Sequence, residues 1–131
     1  MKKGIKILLV ILVVLVVIGI AGTVTVKKLN GGLEDFLADV VIEPVDLNNV
    51  ADGTYRGKTD AGIIQVKLDV DVKDHRITDI RLLQHRNGQG AEAEKLIPGI
   101  IQQQRTDIDT VSGATYSSLA ILDAVEGALK Q

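Results

Sequence analysis

The chain has 131 residues and a formal net charge of −2, enough for one small domain and an appendage but too few for two ordinary domains. Residues 1–30 carry five lysines and no acid, a charge of +5, and residues 31–131 carry −7. The acidic body and an aromatic content of 2% exclude nucleic acid as a partner. The absence of cysteine excludes disulfides, thiolate metal sites, iron–sulfur clusters and thiol catalysis.

The first element is an uncharged apolar run over residues 7–26. A helix of this length spans about 30 Å, the thickness of a bilayer core, so the run predicts one transmembrane helix. Three lysines precede it and two follow it. This bias favours a single-pass protein of the cell membrane with a cytoplasmic N-terminus and an extracytoplasmic C-terminal domain. The lipid bilayer is then its first partner.

Two other interpretations of this run were weighed. A cleaved signal peptide is conceivable because residues 19–21 are Gly-Ile-Ala, but the run continues to Val26, which favours an uncleaved anchor. Both interpretations export the body. A buried core helix is disfavoured because the run is rich in β-branched residues and has no polar stripe.

The chain divides into a membrane anchor at 1–28, a linker at 29–51 and a folded domain at 52–131. Within the linker, Asn30-Gly31-Gly32 is expected to end the helix, and residues 33–41 are expected to form a short amphipathic helix. Pro44 and Asn48-Asn49 prevent a longer one.

The first half of the domain indicates strands. Apolar and polar residues alternate over 63–73, which predicts a long strand with one buried face. Asp74-His75 then occupies the position of a tight turn, and residues 77–85 form the returning strand. Histidine is one of the few residue types besides glycine that tolerates the positive φ of such turns. Residues 53–56 add a further strand before the hairpin.

The second half indicates helices. Residues 87–90 form a break, and 91–103 predict a helix disturbed in its middle by Pro98-Gly99. Residues 106–111 are extended or looped. A last helix has Leu119, Leu122, Val125 and Leu129 on one side, with Asp123 and Glu126 on the other. The predicted fold class is α+β, namely an N-terminal transmembrane helix followed by a small antiparallel-sheet domain with helices packed after the strands.

A stretch rich in hydroxyl groups, residues 109–118, precedes the last helix. Gly113 allows a tight turn and close approach of a ligand to the backbone. The first turn of the helix contains Thr115, Ser117 and Ser118, where backbone N–H groups lack intrahelical partners and attract phosphate. An ordinary Ser/Thr cap is the alternative interpretation.

From about Asp52 to Leu129 the chain resembles the FMN-binding domain family. This family includes the exported flavin-carrying subunits of the sodium-translocating quinone reductase and of the related ferredoxin-dependent ion pump. The resemblance rests on Asp-Gly-Thr-Tyr-Arg-Gly at 52–57, Val-Lys-Asp at 72–74, Ile-Thr-Asp-Ile at 77–80, His-Arg-Asn-Gly-Gln-Gly at 85–90 and Asp-Thr-Val-Ser-Gly-Ala-Thr at 109–115. The last segment is similar to the family's flavinylation motif, Asp-x-x-Ser/Thr-Gly-Ala-Ser/Thr.

The resemblance implies that the Thr115 hydroxyl is esterified to the phosphate of FMN, which is then a covalent cofactor. A separate flavin transferase performs the reaction with FAD as donor. Asp109 and Ser112 would be recognition or orienting residues, and no residue is assigned a catalytic role. Electrons would come from a membrane redox complex or a quinone-linked dehydrogenase and pass to a terminal reductase or an external acceptor.

Further cofactor contacts are expected around this attachment point. Two aromatic side chains can stack on the ring, and the Gly-rich loop offers backbone N–H groups. His85 contacts the flavin or phosphate, or is a structural residue at a strand end. The loop after His85 departs from the more familiar family version, which has acidic, Thr and Pro-Gly residues there. Besides Thr115, Asp109 and Ser112, the expected cofactor-binding residues are Gly113, Ala114, Tyr116, Ser117, Ser118, His85, Gly88, Gln89, Gly90 and Tyr55.

No metal site is expected. Asp69, Asp71 and Asp74 could suggest one, but Asp69 and Asp71 fall on the polar face of their strand and are interpreted as solvated. The prediction is a membrane-anchored extracytoplasmic electron carrier. A module that binds FMN or another phosphorylated ligand reversibly is one alternative, and an anchored structural domain without a cofactor is the other.

Overall fold

The computed structural model describes residues 2–86 and 90–131, and within the first helix it describes the side chains of residues 2–23 and 32–39. An N-terminal apolar helix is followed by a three-stranded antiparallel sheet and then by helices, which confirms the predicted α+β class. The elements are helix α1 (Lys2–Asp39), strands β1 (Gly53–Ala61), β2 (Ile64–Lys73) and β3 (Arg76–Arg86), and helices α2 (Leu96–Gln103) and α3 (Thr115–Leu129), with 3₁₀ turns at Leu47–Asn49 and Ala91–Lys95.

Helix α1 is continuous through residues 30–32, so the predicted break there is wrong. Each glycine in a helix costs about 1 kcal/mol relative to alanine, but packing beyond the glycines opposes this cost. Leu33 and Phe36 pack against the core of the domain. A Cβ on Gly32 would lie 3.3 Å from the Cα of Gly62, so these two backbones touch. The exposed apolar part of α1, Lys2–Thr23, is long enough to cross a membrane.

The sheet has the strand order β1-β2-β3. The alternation predicted for β2 is confirmed, since its even-numbered residues from Ile64 to Val72 are buried. Asp74 and His75 form the predicted tight turn between β2 and β3, and their φ angles of 53° and 60° are those of a type I′ hairpin turn. The His75 Nδ1 lies 3.1 Å from the Leu47 carbonyl oxygen. A carbonyl only accepts, so Nδ1 carries the proton.

Two β-bulges in β3 alter which of its side chains face inward. Lys67 pairs with Gln84 and Leu68 with Leu82, so Leu83 is an extra residue, and Thr78 is extra in the same way. Each extra residue shifts the alternation by one position. As a result Ile77, Ile80, Leu82 and His85 share the inner face of the sheet, whereas a strict period of two would place Gln84 there.

Helix α3 lies across β1 and β2 on the inner face of the sheet. The Thr59 hydroxyl donates to Asp123 at 2.6 Å. Glu126 was predicted on the outer side of α3, but it is buried and accepts a 3.0 Å hydrogen bond from the backbone N–H of Glu43. That prediction is wrong because α3 is covered on two sides, by the sheet and by residues 40–50.

Residues 40–51, which fall in the predicted linker, pack on the domain. The Thr106 hydroxyl donates to the Glu43 carbonyl at 2.9 Å, on the peptide next to the one that Glu126 binds. Val50 is buried in the core. The boundary at residue 52 stays a prediction, but this part of the chain is held at several points by side chains of the domain.

The predicted helix at 91–103 consists of a 3₁₀ turn followed by α2. The change of helix type comes before Pro98 rather than at it. Pro98 is the third residue of α2, where the backbone N–H would have no intrahelical acceptor, so proline fits without breaking a hydrogen bond. Helix α2 ends at Gln104, which has φ 56°.

Candidate functional site

The loop before α3 closes with a tight turn over residues 111–114. The Ala114 N–H donates to the Val111 carbonyl at 3.0 Å, and Gly113 has φ +80°. A positive φ at the third position is the mark of a type II turn, which favours glycine. A Cβ on Gly113 would meet nothing within 4 Å, so conformation and not crowding requires the glycine. Ser112 and Gly113 are exposed at the tip of this turn.

Ser118 fixes this turn to the helix. Its hydroxyl accepts from the Val111 N–H at 3.0 Å and donates to the Ala114 carbonyl at 2.7 Å, and the residue is fully buried. Ser117 is buried as well. These two predicted cofactor-binding side chains therefore face the interior, and Ser118 supports the loop that a ligand would contact.

Thr115 is the first residue of α3 and is exposed. Within the described residues, no hydrogen bond involves its hydroxyl. The preceding N-cap residue, Ala114, has no side-chain acceptor for the first N–H groups of the helix. Tyr116 beside it is 52% exposed. The junction thus presents a reachable hydroxyl next to backbone amides that favour an anion.

The contacts of α3 locate this junction relative to the sheet. Gly57 lies under Ala124, since a Cβ on Gly57 would stand 1.8 Å from the Ala124 carbonyl oxygen. The amide of Gln131 donates to the Arg56 carbonyl. Helix α3 therefore runs antiparallel to β1, and Thr115 lies at the end of the sheet where β1 turns into β2 and β3 finishes.

Tyr55 is not brought to Thr115. It lies next to Arg56, at the end of α3 marked by Gln131, and about 24 Å of helix separates Gln131 from Thr115. The Tyr55 hydroxyl donates to the Ala51 carbonyl at 2.6 Å, and its ring packs against the core. The predicted stacking role of Tyr55 is therefore inconsistent with the fold, because an antiparallel α3 places the two residues at opposite ends.

His85 lies at the same end of the sheet as Thr115 but is covered. Its side chain is 2% exposed, and Nδ1 lies 3.0 Å from a carboxylate oxygen of Glu94 in the 3₁₀ turn. The histidine thus connects the end of β3 to the segment that leads into α2, which is the structural role weighed for it. Of the Gly-rich loop, Gly90 is buried and its carbonyl accepts from Ala93, while Gly88 and Gln89 lie outside the described residues.

A groove of about 310 Å³ opens between α2 and the loop that leads to Thr115. Arg105 donates to Asp107 at 2.6 Å, which holds the pKa of Asp107 below its ordinary value. The groove holds two cations, two carboxylates and two apolar side chains, and Lys95 is paired with Glu92 as Arg105 is with Asp107. A mixed polar and apolar lining of this kind suits a ligand with a flat apolar ring and several hydrogen-bonding groups. The lining residues are Lys95, Leu96, Gly99, Gln103, Arg105, Asp107, Ile108 and Asp109.

Except for Asp109, sequence reasoning missed the residues of this groove. Gly99 was interpreted only as a disturbance of a helix. In the structure a Cβ on Gly99 would lie 3.5 Å from Ile108, so this side of α2 and the loop are close neighbours. Helix α2 and the loop before α3 are distant in sequence and are brought together only by the fold. The one feature of the sequence that could have indicated their contact is the small residue Gly99 on the helix, opposite the apolar Ile108 on the loop.

The acidic residues of β2 are engaged by arginines on the outer face of the sheet. Arg56 donates to Asp69 at 2.8 and 3.1 Å, and Arg81 donates to Asp71. These hydrogen bonds hold the pKa of Asp69 and of Asp71 below the ordinary aspartate value. The prediction that Asp69 is solvated is wrong, since it is largely covered by its partners.

No group of potential metal ligands is found among residues 2–86 and 90–131.

One comparison bears on this site. The sequence profile of a family described as FMN-binding domain matches residues 61–130, more than half of the chain. The match includes the hydroxyl-rich junction, His85 and the groove. The opening segment at 52–57 lies outside it. No curated protein matches the chain. The exposed hydroxyl and the first N–H groups of α3 fit the phosphate of this flavin, and the apolar side chains of the groove fit its ring.

Proposed function

Because the chain belongs to the FMN-binding domain family, we propose that it carries FMN esterified to Thr115 and serves as a membrane-anchored extracytoplasmic electron carrier. One observation carries the proposal. Thr115 opens α3 with an exposed hydroxyl, whereas Ser117 and Ser118 of the same turn are buried. Among the serine and threonine hydroxyls on the first turn of this helix, a modifying enzyme therefore meets one that is exposed, and it is the one at the last position of the motif.

The attachment is a phosphoryl transfer to a side chain. The Thr115 oxygen forms a bond to the phosphorus of the FMN half of FAD, the bond to AMP breaks, and AMP leaves with the hydroxyl proton. Such reactions depend mostly on positioning and charge neutralisation, which the flavin transferase supplies. This chain contributes an acceptor held by the turn at 111–114 and by Ser118.

The residues present would hold each part of the flavin differently. The phosphodiester stays negative beside the N-terminus of α3, a placement that contributes about 0.3–1 kcal/mol at an exposed site. In the adjacent groove Lys95 and Arg105, which are paired with Glu92 and Asp107, offer N–H donors, and Leu96 and Ile108 offer apolar surface. When bound, FMN supplies one- and two-electron chemistry, and the protein sets its position and surroundings.

The anchor explains why a covalent link is useful. Residues 2–23 form a helix that can cross a bilayer, and the lysine bias favours export of the domain. Outside the cytoplasm a dissociated flavin would be lost by diffusion, whereas a tether fixes its local concentration. We therefore propose a membrane dehydrogenase or quinol as the electron donor and a terminal reductase or external molecule as the acceptor.

Intact mass spectrometry tests the attachment. The full chain is co-expressed with a flavin transferase, and we expect an added FMN-monophosphoryl mass that survives denaturation. Thr115→Ala abolishes the added mass and Thr115→Ser retains it, while Thr78→Ala, which removes an exposed hydroxyl outside the motif, serves as the matched control. Flavin that separates on denaturation would instead indicate a reversible binder. A colourless protein would indicate a structural domain.

Two measurements test the remaining parts of the proposal. Protease accessibility of a C-terminal tag in intact spheroplasts reports the side on which the domain lies, and protection of the tag would contradict export. Reduction of the bound flavin by membrane vesicles given a quinone-linked substrate reports electron entry. A flavin that stays oxidised under those conditions, but is reduced by dithionite, would contradict the carrier role.

A further inference from the structure

Helix α1 fixes which end of the domain is nearest the bilayer. The helix is continuous from the candidate membrane span to Asp39. Among the side chains that the structure describes, the first contact of α1 with the domain is that of Gly32 with Gly62, in the turn between β1 and β2. Gly32 lies six residues after the apolar run ends at Val26, which corresponds to about 9 Å along the helix axis. If α1 crosses a bilayer, as proposed above, the β1–β2 turn lies at the height of the lipid headgroups.

From this contact the chain leads away from the membrane. Glu43 binds Glu126 near the C-terminal end of α3, and Val50 accepts from His75 at the opposite end of the sheet. The end of the domain at Asp74-His75 is thus the far end. The near end holds the β1–β2 turn, the end of β3 and, because α3 is antiparallel to β1, Thr115.

The near end carries two exposed apolar side chains, Ile63 and Tyr116. Outside the membrane span, four large apolar side chains are exposed among those described, namely Val41, Ile63, Leu83 and Tyr116. Ile63 forms the tip of the β1–β2 turn and is 39% exposed, and Tyr116 follows Thr115. Leu83 is the bulged residue in the adjacent half of β3. Tyrosine and aliphatic side chains at a membrane-facing edge are typical of interfacial contact.

Basic side chains occupy the same half of the outer sheet face. Lys58 and Lys67 stand directly opposite each other on β1 and β2, and Arg86 ends β3. In the described part of the chain no carboxylate pairs with any of the three. Asp60 lies beside Lys58 on β1 and accepts from the Gly62 N–H, so its carboxylate is engaged within its own turn. Other acids near this end are Glu34 and Asp35 on α1 and Glu94, which binds His85. Like charges opposite each other destabilise a sheet, so this cluster in an acidic domain points to an anionic partner.

We propose that this end of the domain, formed by Ile63, Tyr116 and the cations Lys58, Lys67 and Arg86, rests on the anionic headgroups of the bilayer that α1 enters. In this arrangement the side chains of Ile63 and Tyr116 reach the membrane interface, and Lys58 and Lys67 lie within about one Debye length of the headgroup charges. The part of the inference that concerns the cofactor rests on the proposed function, since a flavin on Thr115 would then sit at the membrane surface. Its electron partner would be a protein or quinol in the bilayer.

The chain has no cysteine, so single cysteines can be introduced without other changes. The full chain, without flavin, carries a fluorophore at Ile63→Cys or at Lys73→Cys and is placed in nanodiscs that contain headgroup-quencher lipids. Lys73 ends β2 at the far end and is exposed, which makes it the matched control. We expect several-fold stronger quenching at position 63 than at position 73. Equal quenching, or stronger quenching at position 73, would overturn the proposal.

Two variants separate the contributions. Lys58→Glu with Lys67→Glu is expected to weaken quenching at position 63 in discs that contain phosphatidylglycerol and to leave it unchanged in phosphatidylcholine alone. If the double variant changed quenching equally in both kinds of disc, the proposed contact between the lysines and anionic lipid would be contradicted. Gly32→Val, which crowds the Gly62 backbone, is expected to reduce quenching in both lipids. Concentration-dependent quenching would indicate a second copy of the chain as the occupant. Flavin loading is measured separately, so failure here leaves the attachment to Thr115 intact.

Discussion

The side-chain amide of Gln104 binds both backbone groups of Ile77. Its oxygen accepts from the Ile77 N–H at 2.7 Å, and its nitrogen donates to the Ile77 carbonyl at 2.8 Å. Ile77 lies on β3, an edge strand of the sheet, so one amide takes the place of a neighbouring strand at that position. Gln104 itself has φ 56°, which ends α2 and turns its side chain toward the sheet.

We expect Gln104→Ala to lower the free energy of unfolding by about 2 kcal/mol, because two backbone groups lose partners. The exposed neighbour gives the control, since Gln103→Ala should change stability by no more than about 0.5 kcal/mol. Pulse proteolysis of the full chain in urea measures both. A Gln104→Gly variant removes the amide but accepts the positive φ, and it should lose less than Gln104→Ala. Equal midpoints for Gln103→Ala and Gln104→Ala would contradict the role of the amide.

Gly57→Ala should destabilise the domain by about 3 kcal/mol, because the new methyl group would stand 1.8 Å from the Ala124 carbonyl oxygen and push α3 off β1. Gly127, which lies on α3 like Ala124, is the control. A Cβ there meets nothing within 4 Å, so Gly127→Ala should stabilise by about 0.5–1 kcal/mol through helix propensity. Thermal unfolding compares the two, and a Gly57→Ala protein as stable as the parent would show that the helix and strand are not in close contact.

Acid should destabilise the sheet through its outer face. The pKa of Asp69 and of Asp71 is lowered by hydrogen bonds from Arg56 and Arg81, respectively. A lowered folded-state pKa gives stability that is present above the unfolded value of about 3.9 and is lost as the pH falls through the folded value. Urea midpoints should therefore fall below about pH 4.

Replacement of Asp69 tests that assignment. Asp69→Asn should be less stable at neutral pH and should show a shallower loss below about pH 4, because one titrating group is gone. Asp39→Asn, at the exposed end of α1, is the control and should keep the parent slope. Parallel curves for the parent and Asp69→Asn would place the acid sensitivity elsewhere.

Ser118→Ala should slow flavin loading although Thr115 is intact. The Val111 N–H and the Ala114 carbonyl both lose a partner, and the turn that presents the acceptor loosens. Removal of a buried hydrogen-bonding group costs about 1–3 kcal/mol. Thr78→Ala, on β3 and outside the motif, leaves these contacts in place and is the control. The extent of loading at short times with the transferase in limiting amount distinguishes them, and a Ser118→Ala chain loaded at the parent rate would exclude the supporting role.

The sequence predicts the β2–β3 hairpin because its information is local. Strict alternation and two residues that tolerate positive φ suffice to specify it, and Asp74 and His75 adopt the predicted turn. The bulges at Thr78 and Leu83 were not predicted, since an extra residue changes the pairing without changing composition. His85 therefore could not be assigned a face from its spacing alone.

Residues 109–115, the candidate attachment motif, were identified by their resemblance to a family motif. The residues that surround this motif in the fold were not predicted from the sequence. Thr115 is exposed as a modified residue must be, but Tyr55 was grouped with it only because both occur in motifs. Their separation follows from the direction of α3 over β1, a long-range contact. Burial of Glu126 has the same kind of cause, because its partner Glu43 is 83 residues away along the chain.

Residues 40–51 connect α1 to the end of the domain that is opposite the β1–β2 turn, at Glu126 and His75. Because α1 also contacts the β1–β2 turn directly, through Gly32 and Gly62, the N-terminal segment is attached at both ends of the sheet. A force applied along α1 would be shared between these two attachments, and rotation of the domain about one of them would be resisted by the other.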